Sequence, residues 1–161
     1  MKSKIIPNLW FDDQAEEAAA FYVSVFPNSR VTSVSRYTEA GPGVPGSVMG
    51  VKFELDGQPF VGINGGPLFT FDEAVSFQID CADQAEVDYY WERLTDGGQE
   101  SWCGWLKDRY GLSWQVVPQG MEEILGHPDP EHARRAAEAM FGMKKLDVAG
   151  LRAAAEGVPA S

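Results

Sequence analysis

Asp13-Gln14-Ala15-Glu16 and, seventy positions on, Asp83-Gln84-Ala85-Glu86 carry the same four letters in the same setting, and this echo sets the reading of the chain. In each copy an Asp is followed three residues later by a Glu. That spacing lets the Asp carboxylate cap a helix N-terminus while the Glu returns a bond to the cap. Each copy is preceded by an apolar, strand-like run. After the first, Ala18, Phe21, Tyr22 and Val25 recur at helical spacing, and after the second Val87, Tyr90, Trp91 and Leu94 do the same. The first helix is expected to stop near Pro27 and the second at Gly97-Gly98.

Three strand-like segments follow each helix. In the first half they run from about Arg30 to Tyr37, Ser47 to Leu55 and Gln58 to Asn64, with Asp56-Gly57 a tight-hairpin signal between the last two. In the second half they are Gln99 to Ser101, Gly104 to Lys107 and Leu112 to Pro118, the last two joined across Asp108-Arg109-Tyr110-Gly111. Strand, helix, three strands, twice over, is an α+β pattern of two βαβββ modules, and setting the two side by side as one curved mixed sheet is the economical way to cover both. Residues 1–120 are therefore read as one domain of paired modules, about 1–66 and 74–120, and residues 121–161 as a helical C-terminal appendage. Within the first module Gly41-Pro42-Gly43-Val44-Pro45-Gly46 favours a loop, either a plain connection or a lid over a pocket. In the appendage a turn from Met121 to Leu125 is followed by an Ala-rich helix from Glu131 to Phe141, ended by Gly142. A last short helix is capped by Asp147.

Composition narrows the function classes. The chain has 161 residues, 44% apolar and 23% charged, and no run of about 18 apolar residues, which leaves an ordinary globular protein and no membrane-spanning helix. Its start, Met1-Lys2-Ser3-Lys4-Ile5-Ile6-Pro7-Asn8, reaches a turn former before any signal-like core, so a cytoplasmic protein is expected. A formal net charge of -11 repels nucleic acid and anionic membrane. The two cysteines, Cys81 and Cys103, form no C-x-x-C pair and read as free thiols.

With the module order in hand, Asn8-Leu9-Trp10-Phe11-Asp12, Ala18-Ala19-Ala20-Phe21-Tyr22 and Phe26-Pro27-Asn28-Ser29 resemble the opening of the PhnB-like proteins of the vicinal oxygen chelate superfamily. That superfamily includes glyoxalases, bleomycin-resistance proteins and extradiol dioxygenases. The stretch Cys103-Gly104-Trp105-Leu106-Lys107-Asp108-Arg109-Tyr110-Gly111-Leu112-Ser113-Trp114-Gln115-Val116-Val117-Pro118 is the most specific match, and Lys144-Lys145-Leu146-Asp147-Val148 resembles the family ending. The resemblance implies paired modules forming a cup, usually in a homodimer. It implies no single reaction, because one cup serves isomerases, transferases, oxygenases and binding proteins.

Strand alternation indicates which side chains face such a cup. Ser76, Gln78 and Asp80 point one way and Phe77, Ile79 and Cys81 the other, and the polar set is expected inward. The echo transfers that parity to Ile6, Asn8 and Trp10, and the same logic turns Ser113, Gln115 and Val117 inward; Gly62 and Asn64 are expected to share that face. Metal-dependent members of the superfamily carry His, Gln or Glu ligands on these strands. The matching positions here are Ile6 or Asn8, Gly62 or Asn64, Ser76 or Gln78, and Gln115, a set of amides, hydroxyls and apolar groups ill suited to a transition ion. His127 and His132 lie in the appendage. No metal and no cofactor are therefore expected. Gly62-Ile63-Asn64-Gly65-Gly66-Pro67 lacks the G-x-G-x-x-G spacing and reads as a turn, so a methyltransferase label sometimes attached to PhnB-like proteins finds no nucleotide-type loop.

The expected site is a ligand cup walled by Trp10, Trp102 and Trp105, with Asn8, Asn64, Gln78 and Gln115 as neutral hydrogen-bonding groups. Asp80 is the one carboxylate on the inner face and the candidate general base; Cys103, near Lys107, is the candidate nucleophile. The leading reading is a metal-independent small-molecule binding protein with a small organic ligand, likewise dimeric. The competing one is a metal-dependent lyase, isomerase or dioxygenase whose ligands a one-residue slip of register has hidden. A third is an interaction module whose cup is filled by its own side chains.

Overall fold

Leu9 and Phe11 are buried, Asn8 is exposed and Trp10 half-buried, the two-residue period of a strand with one covered face. In the computed structural model, which describes residues 3–158, these residues form β1 (Asn8–Phe11). It is followed by α1 (Ala15–Val25), β2 (Arg30–Arg36), β3 (Val48–Leu55) and β4 (Gln58–Asn64). The strands make one sheet in the order β1-β4-β3-β2, with β1 parallel to β4 and the other pairs antiparallel. Ala15, Ala18, Ala19, Tyr22 and Val25 form the buried stripe of α1. Phe53 lies beneath it, stacked on Tyr22 at 6.3 Å and on Phe60 at 5.5 Å between ring centres. Asp56 and Gly57 turn β3 into β4 with φ of 48° and 80°, the left-handed pair that a two-residue hairpin requires.

The second unit repeats the order with β5 (Ser76–Cys81), α2 (Gln84–Thr95), β6 (Gln99–Glu100), β7 (Trp105–Lys107) and β8 (Ser113–Pro118). Its sheet runs β5-β8-β7-β6, with β5 parallel to β8. Val87, Tyr90, Trp91 and Leu94 of α2 are buried, as are Cys81, Leu106, Trp114 and Val116 of the strands. The fold is thus α+β, two βαβββ modules each with its own four-stranded mixed sheet, and the strands given bounds in the sequence end within one residue of expectation. The chain divides into the units Met1–Phe71 and Asp72–Ser161.

The two echoed caps have different fates. Asp83 caps α2 as read, its carboxylate accepting from the Glu86 amide at 2.9 Å, and Glu86 Oε2 accepts from the Ala82 amide at 2.7 Å. At α1 the expected cap, Asp13, is not the cap. Gln14 occupies that position without a side-chain bond, and the Ala15 amide donates instead to Asn64 Oδ1 at 2.8 Å. β4 lies parallel to β1 and ends beside the helix start, so a carboxamide from distant sequence reaches the first orphan amide.

The C-terminal helices α3 (Met121–Leu125), α4 (Pro130–Phe141) and α5 (Val148–Ala155) belong to the second unit. Met121, Leu146 and Leu151 bury one another. Gln84 clamps this tail from α2, donating through Nε2 to the Leu146 carbonyl at 3.0 Å and accepting through Oε1 from the Val148 amide at 2.9 Å. The Cys103 and Gly104 amides donate to the Met143 and Lys144 carbonyls, each at 2.8 Å. A Cβ on Gly104, whose φ is 82°, would lie 2.9 Å from the Val116 carbonyl oxygen, so this approach needs a glycine. Among the described residues no helix is long and apolar enough to cross a membrane.

Candidate functional site

β5, β8 and β7 are neighbours, and their register sets Gln78 opposite Gln115 and Gln115 opposite Trp105. Phe77, Ile79, Leu106, Trp114 and Val116 take the alternate positions toward α2, so Gln78, Gln115 and Trp105 share the face that the helix leaves open. The next row on that face is Ser76, Ser113 and Lys107. Gln115 Nε2 donates to Ser76 Oγ at 2.9 Å, and Gln78 Nε2 donates to Asp80 Oδ1 at 2.8 Å. A cavity of about 130 Å³ opens at one end, lined by Glu73, Gln99, Ser101, Trp105, Lys107 and Ser113. Another of about 240 Å³, lined by Gln78, Asp80, Val117, Gln119, Met121 and Glu122, opens at the other.

The electrostatics of this unit are local. Lys107 pairs with Glu73, and its hydrogen bond holds the Glu73 carboxyl below the usual range. Burial, and after it the carboxylates of Glu86, Asp80 and Asp83, push the Cys81 thiol up to about 12, so it is protonated at neutral pH. Cys103 is half-buried, with φ at 61° in the loop that docks on the tail. Trp102, beside it, is 55% exposed, and the Lys144 ammonium lies 5.3 Å from its ring centre. Asp80 is exposed and is spoken for by Gln78.

In the first module Asn8 is exposed, its Nδ2 donating to the Ile6 carbonyl at 3.0 Å. Trp10 donates its indole N–H to the Gly66 carbonyl at 2.9 Å and meets Phe69 edge-on at 5.0 Å. A Cβ on Gly65 would sit 2.2 Å from Trp10 Cζ2, so glycine is what lets the loop close on the ring. Gly62 and Asn64 lie on the face opposite to that expected. They pair with Leu9 and Phe11, whose side chains turn to α1, whereas Val61 and Ile63 pair with Asn8 and Trp10. Both polar ends of Asn64 are engaged within the module, Oδ1 on the Ala15 amide and Nδ2 on the Val48 carbonyl at 3.1 Å. The run Gly62 to Pro67 is correspondingly strand through Asn64 and turn only after it. The Gly41 to Gly46 loop wraps Tyr37. Its hydroxyl donates to the Asn64 carbonyl at 2.5 Å, and a Cβ on Gly43 would fall 2.4 Å from the ring. Tyr37, Val44, Asp12, Asp13, Glu16 and Asn64 line a cavity of about 450 Å³ there.

The chain matches the sequence model of the family described as 3-demethylubiquinone-9 3-methyltransferase over residues 3–117. A PhnB protein from Bacillus cereus is 38% identical over 72% of this chain and 99% of its own, with a TM-score of 0.66. This chain belongs to that PhnB-like family of the vicinal oxygen chelate superfamily. A Pseudomonas aeruginosa protein shares the fold at 16% identity, covering 73% of this chain and 98% of its own, with a TM-score of 0.60. The Listeria monocytogenes fosfomycin resistance protein FosX, in complex with Mn(II) and sulfate, shares it at 18% identity, 78% and 97% coverage, and a TM-score of 0.52. No curated protein matches the chain.

Neither group suggested by those descriptions fits the residues of this PhnB-like chain. A nucleotide-type methyl donor wants a doubly wound parallel sheet with a Gly-rich turn at a helix N-terminus. Here each sheet has one parallel pair, and Gly62 and Gly65 are spent on packing against Ala15 and Trp10. A transition ion wants imidazole, thiolate or carboxylate. The open-face positions supply Asn8, Ser76, Gln78, Ser113 and Gln115 with Asp80 as the one carboxylate, and among the described residues no three His, Cys, Asp or Glu side chains converge.

Proposed function

We propose that this PhnB-like protein binds a small organic molecule on the open face of its second module, without a metal ion. Trp105 supplies an apolar surface and Gln115 and Gln78 neutral hydrogen-bonding groups. The observation that carries this reading is the row Trp105, Gln115, Gln78 across three adjacent strands, uncovered by α2 and flanked by a cavity at each end. Mixed apolar and sparse polar lining is the usual make-up of a ligand site. Trp102 offers an exposed indole beside the half-buried Trp105, Asn8 an exposed carboxamide, and Trp10 its ring only, since its N–H is engaged. On the same reading the protein is a cytoplasmic homodimer. Its two thiols are unpaired, and β2, at the sheet edge, exposes all seven residues with Val31 and Val34 among them. If a ligand is turned over, Asp80 is the base and Cys103 the thiol to replace first, by Asn and Ser.

The test is a thermal-shift screen of metal-stripped protein against small organic acids, amides and amines. A ligand at one hundred times its Kd stabilises by about 2.7 kcal/mol. Gln78→Ala and Gln115→Ala are expected to remove that shift while leaving the ligand-free melting temperature nearly unchanged. Stabilisation that appears only when Ni, Mn, Fe, Zn or Mg is added would overturn metal independence and favour the enzyme reading. A size-exclusion light-scattering mass of one chain would overturn the dimer.

A further inference from the structure

Ser113 is 1% exposed, and among the described residues its hydroxyl has no hydrogen-bond partner. Buried hydroxyls are almost always paired, and an unpaired one is destabilising, so this position calls for a reason outside the packing of the module. Ser113 stands between Ser76 on β5 and Lys107 on β7 and lines the cavity of about 130 Å³. Ser76 Oγ is taken by Gln115. Lys107 carries three donors, and among the described residues it pairs with Glu73, whose side chain is 61% exposed. The remaining polar side chains there, Gln99 and Ser101, can both donate. Glu100, the other acid at the cavity, accepts from Trp91 Nε1 at 2.8 Å.

The two donors at the centre of this cavity, Ser113 Oγ and Lys107 Nζ, belong to residues directly opposed in the register. We propose that the cavity binds the carboxylate of a small organic acid, accepting from Ser113 Oγ and Lys107 Nζ, with the acid's apolar part over Trp105 and Glu73 as the internal carboxylate that it displaces. The proposal rests on the reading that this face binds a ligand, and it adds the chemical class. An exposed ion pair is weak, so Glu73 is readily exchanged, whereas an incoming carboxylate gains a charge-assisted bond and satisfies a buried hydroxyl. The volume is that of a few waters, which suits a carboxylate with a short carbon chain. A formal net charge of -11 disfavours multiply charged anions.

The test is an NMR titration of the full chain with acetate, acetamide and inorganic phosphate at constant ionic strength, following the Ser113 and Lys107 amides. Acetate is expected to shift both and to bind about tenfold more tightly than acetamide, as a charge-assisted bond outweighs a neutral one. Glu73→Gln should tighten acetate by about threefold or more, removing a competitor of modest strength. Lys107→Met and Ser113→Ala should weaken it by about fivefold or more, the worth of one hydrogen bond. Ser113→Ala removes an unpaired hydroxyl, so its melting temperature should hold or rise, and lost binding is then not lost folding. Equal binding of acetamide, tighter binding of phosphate, no acetate shift in either the parent or Glu73→Gln, or insensitivity to these substitutions would overturn the proposal. Neutral ligands that still shift Gln78, Gln115 and Trp105 would leave the broader reading standing, and the absence of any ligand on this face would remove both.

Discussion

Replacing Asn64 by Ala deletes two bonds at once: the one from the Ala15 amide to Oδ1 at 2.8 Å and the one from Nδ2 to the Val48 carbonyl at 3.1 Å. The first caps the start of α1, where Gln14 contributes no side-chain bond, and losing a cap costs about 1 kcal/mol. The second leaves a half-buried carbonyl without its donor, a further ~1–2 kcal/mol. The sum, about 2–3 kcal/mol, lowers the melting temperature by about 4–12 °C for a chain of this size. Asn64→Asp keeps the acceptor and sets a negative charge at a helix N-terminus, which is favourable, but turns an oxygen toward the Val48 carbonyl, so it should fall between Ala and the parent. Urea unfolding followed by far-UV circular dichroism measures both. Should Asn64→Ala stay within ~0.5 kcal/mol of the parent, the size of an ordinary surface substitution, while ligand affinity collapses, the carboxamide is a ligand group and the facing of β4 derived from its register is wrong.

Gln84→Ala releases the tail from α2 and should cost about 1–3 kcal/mol, with faster amide exchange at Leu146 and Val148 than elsewhere in the second unit. Iodoacetamide at neutral pH should modify Cys103 in the native protein and leave Cys81 unmodified until unfolding, because burial holds the Cys81 thiol protonated; simultaneous loss of both would contradict that. The Glu73 carboxyl, depressed by its bond from Lys107, should titrate below the ordinary Glu range in the folded protein. The contact therefore contributes above the unfolded value and is lost as pH falls through the lowered folded one. Side-chain carboxyl NMR should show this, and Lys107→Met should raise the Glu73 value toward the ordinary range, the backbone hydrogen bond at Glu73 keeping part of the depression.

Two-residue alternation, the Gly97-Gly98 stop and the Asp108 to Gly111 turn made nearly the whole of the second module legible in the sequence. Ser76 to Cys81 and Leu112 to Pro118 each alternate polar with apolar side chains, and one helix covers the apolar side, so Gln78 and Gln115 fall on the open face as alternation requires. The first module misled at Asn64 because Gly62 and Asn64 look like the polar positions of an outward face, yet their parallel partners Leu9 and Phe11 turn to α1. Gly62 is there because a Cβ would come within 3.2 Å of Ala15 Cβ, and Asn64 because its Oδ1 accepts from the Ala15 amide at the start of α1. Which strand a residue pairs with decides its face, and a single strand's pattern does not hold that information.

Asp108 was legible only as a turn former. It is 3% exposed and accepts from the Tyr110 and Leu112 amides at 2.8 and 3.1 Å and from Trp114 Nε1 at 2.9 Å, so it fixes the turn that brings β7 alongside β8. An Asp followed by Gly and Trp three and six positions on was the available signal. Alternation turns Ser113 inward and proximity links Lys107 to Cys103, but that the Ser113 hydroxyl lies unpaired opposite Lys107 emerges only from the register. Gln84 hid in the echoed tetrapeptide, where the capping Asp and Glu drew the reading.

The most direct test of a metal-free ligand site on the second module is side-chain NMR of chelator-treated protein, following the Gln78 and Gln115 carboxamides and the Trp105 indole during titration with a ligand from the screen. The account predicts that all three signals move together, saturate with the same Kd, and are indifferent to added Mn or Zn. Ligand binding that requires the ion, or that leaves these three signals in place, would contradict it.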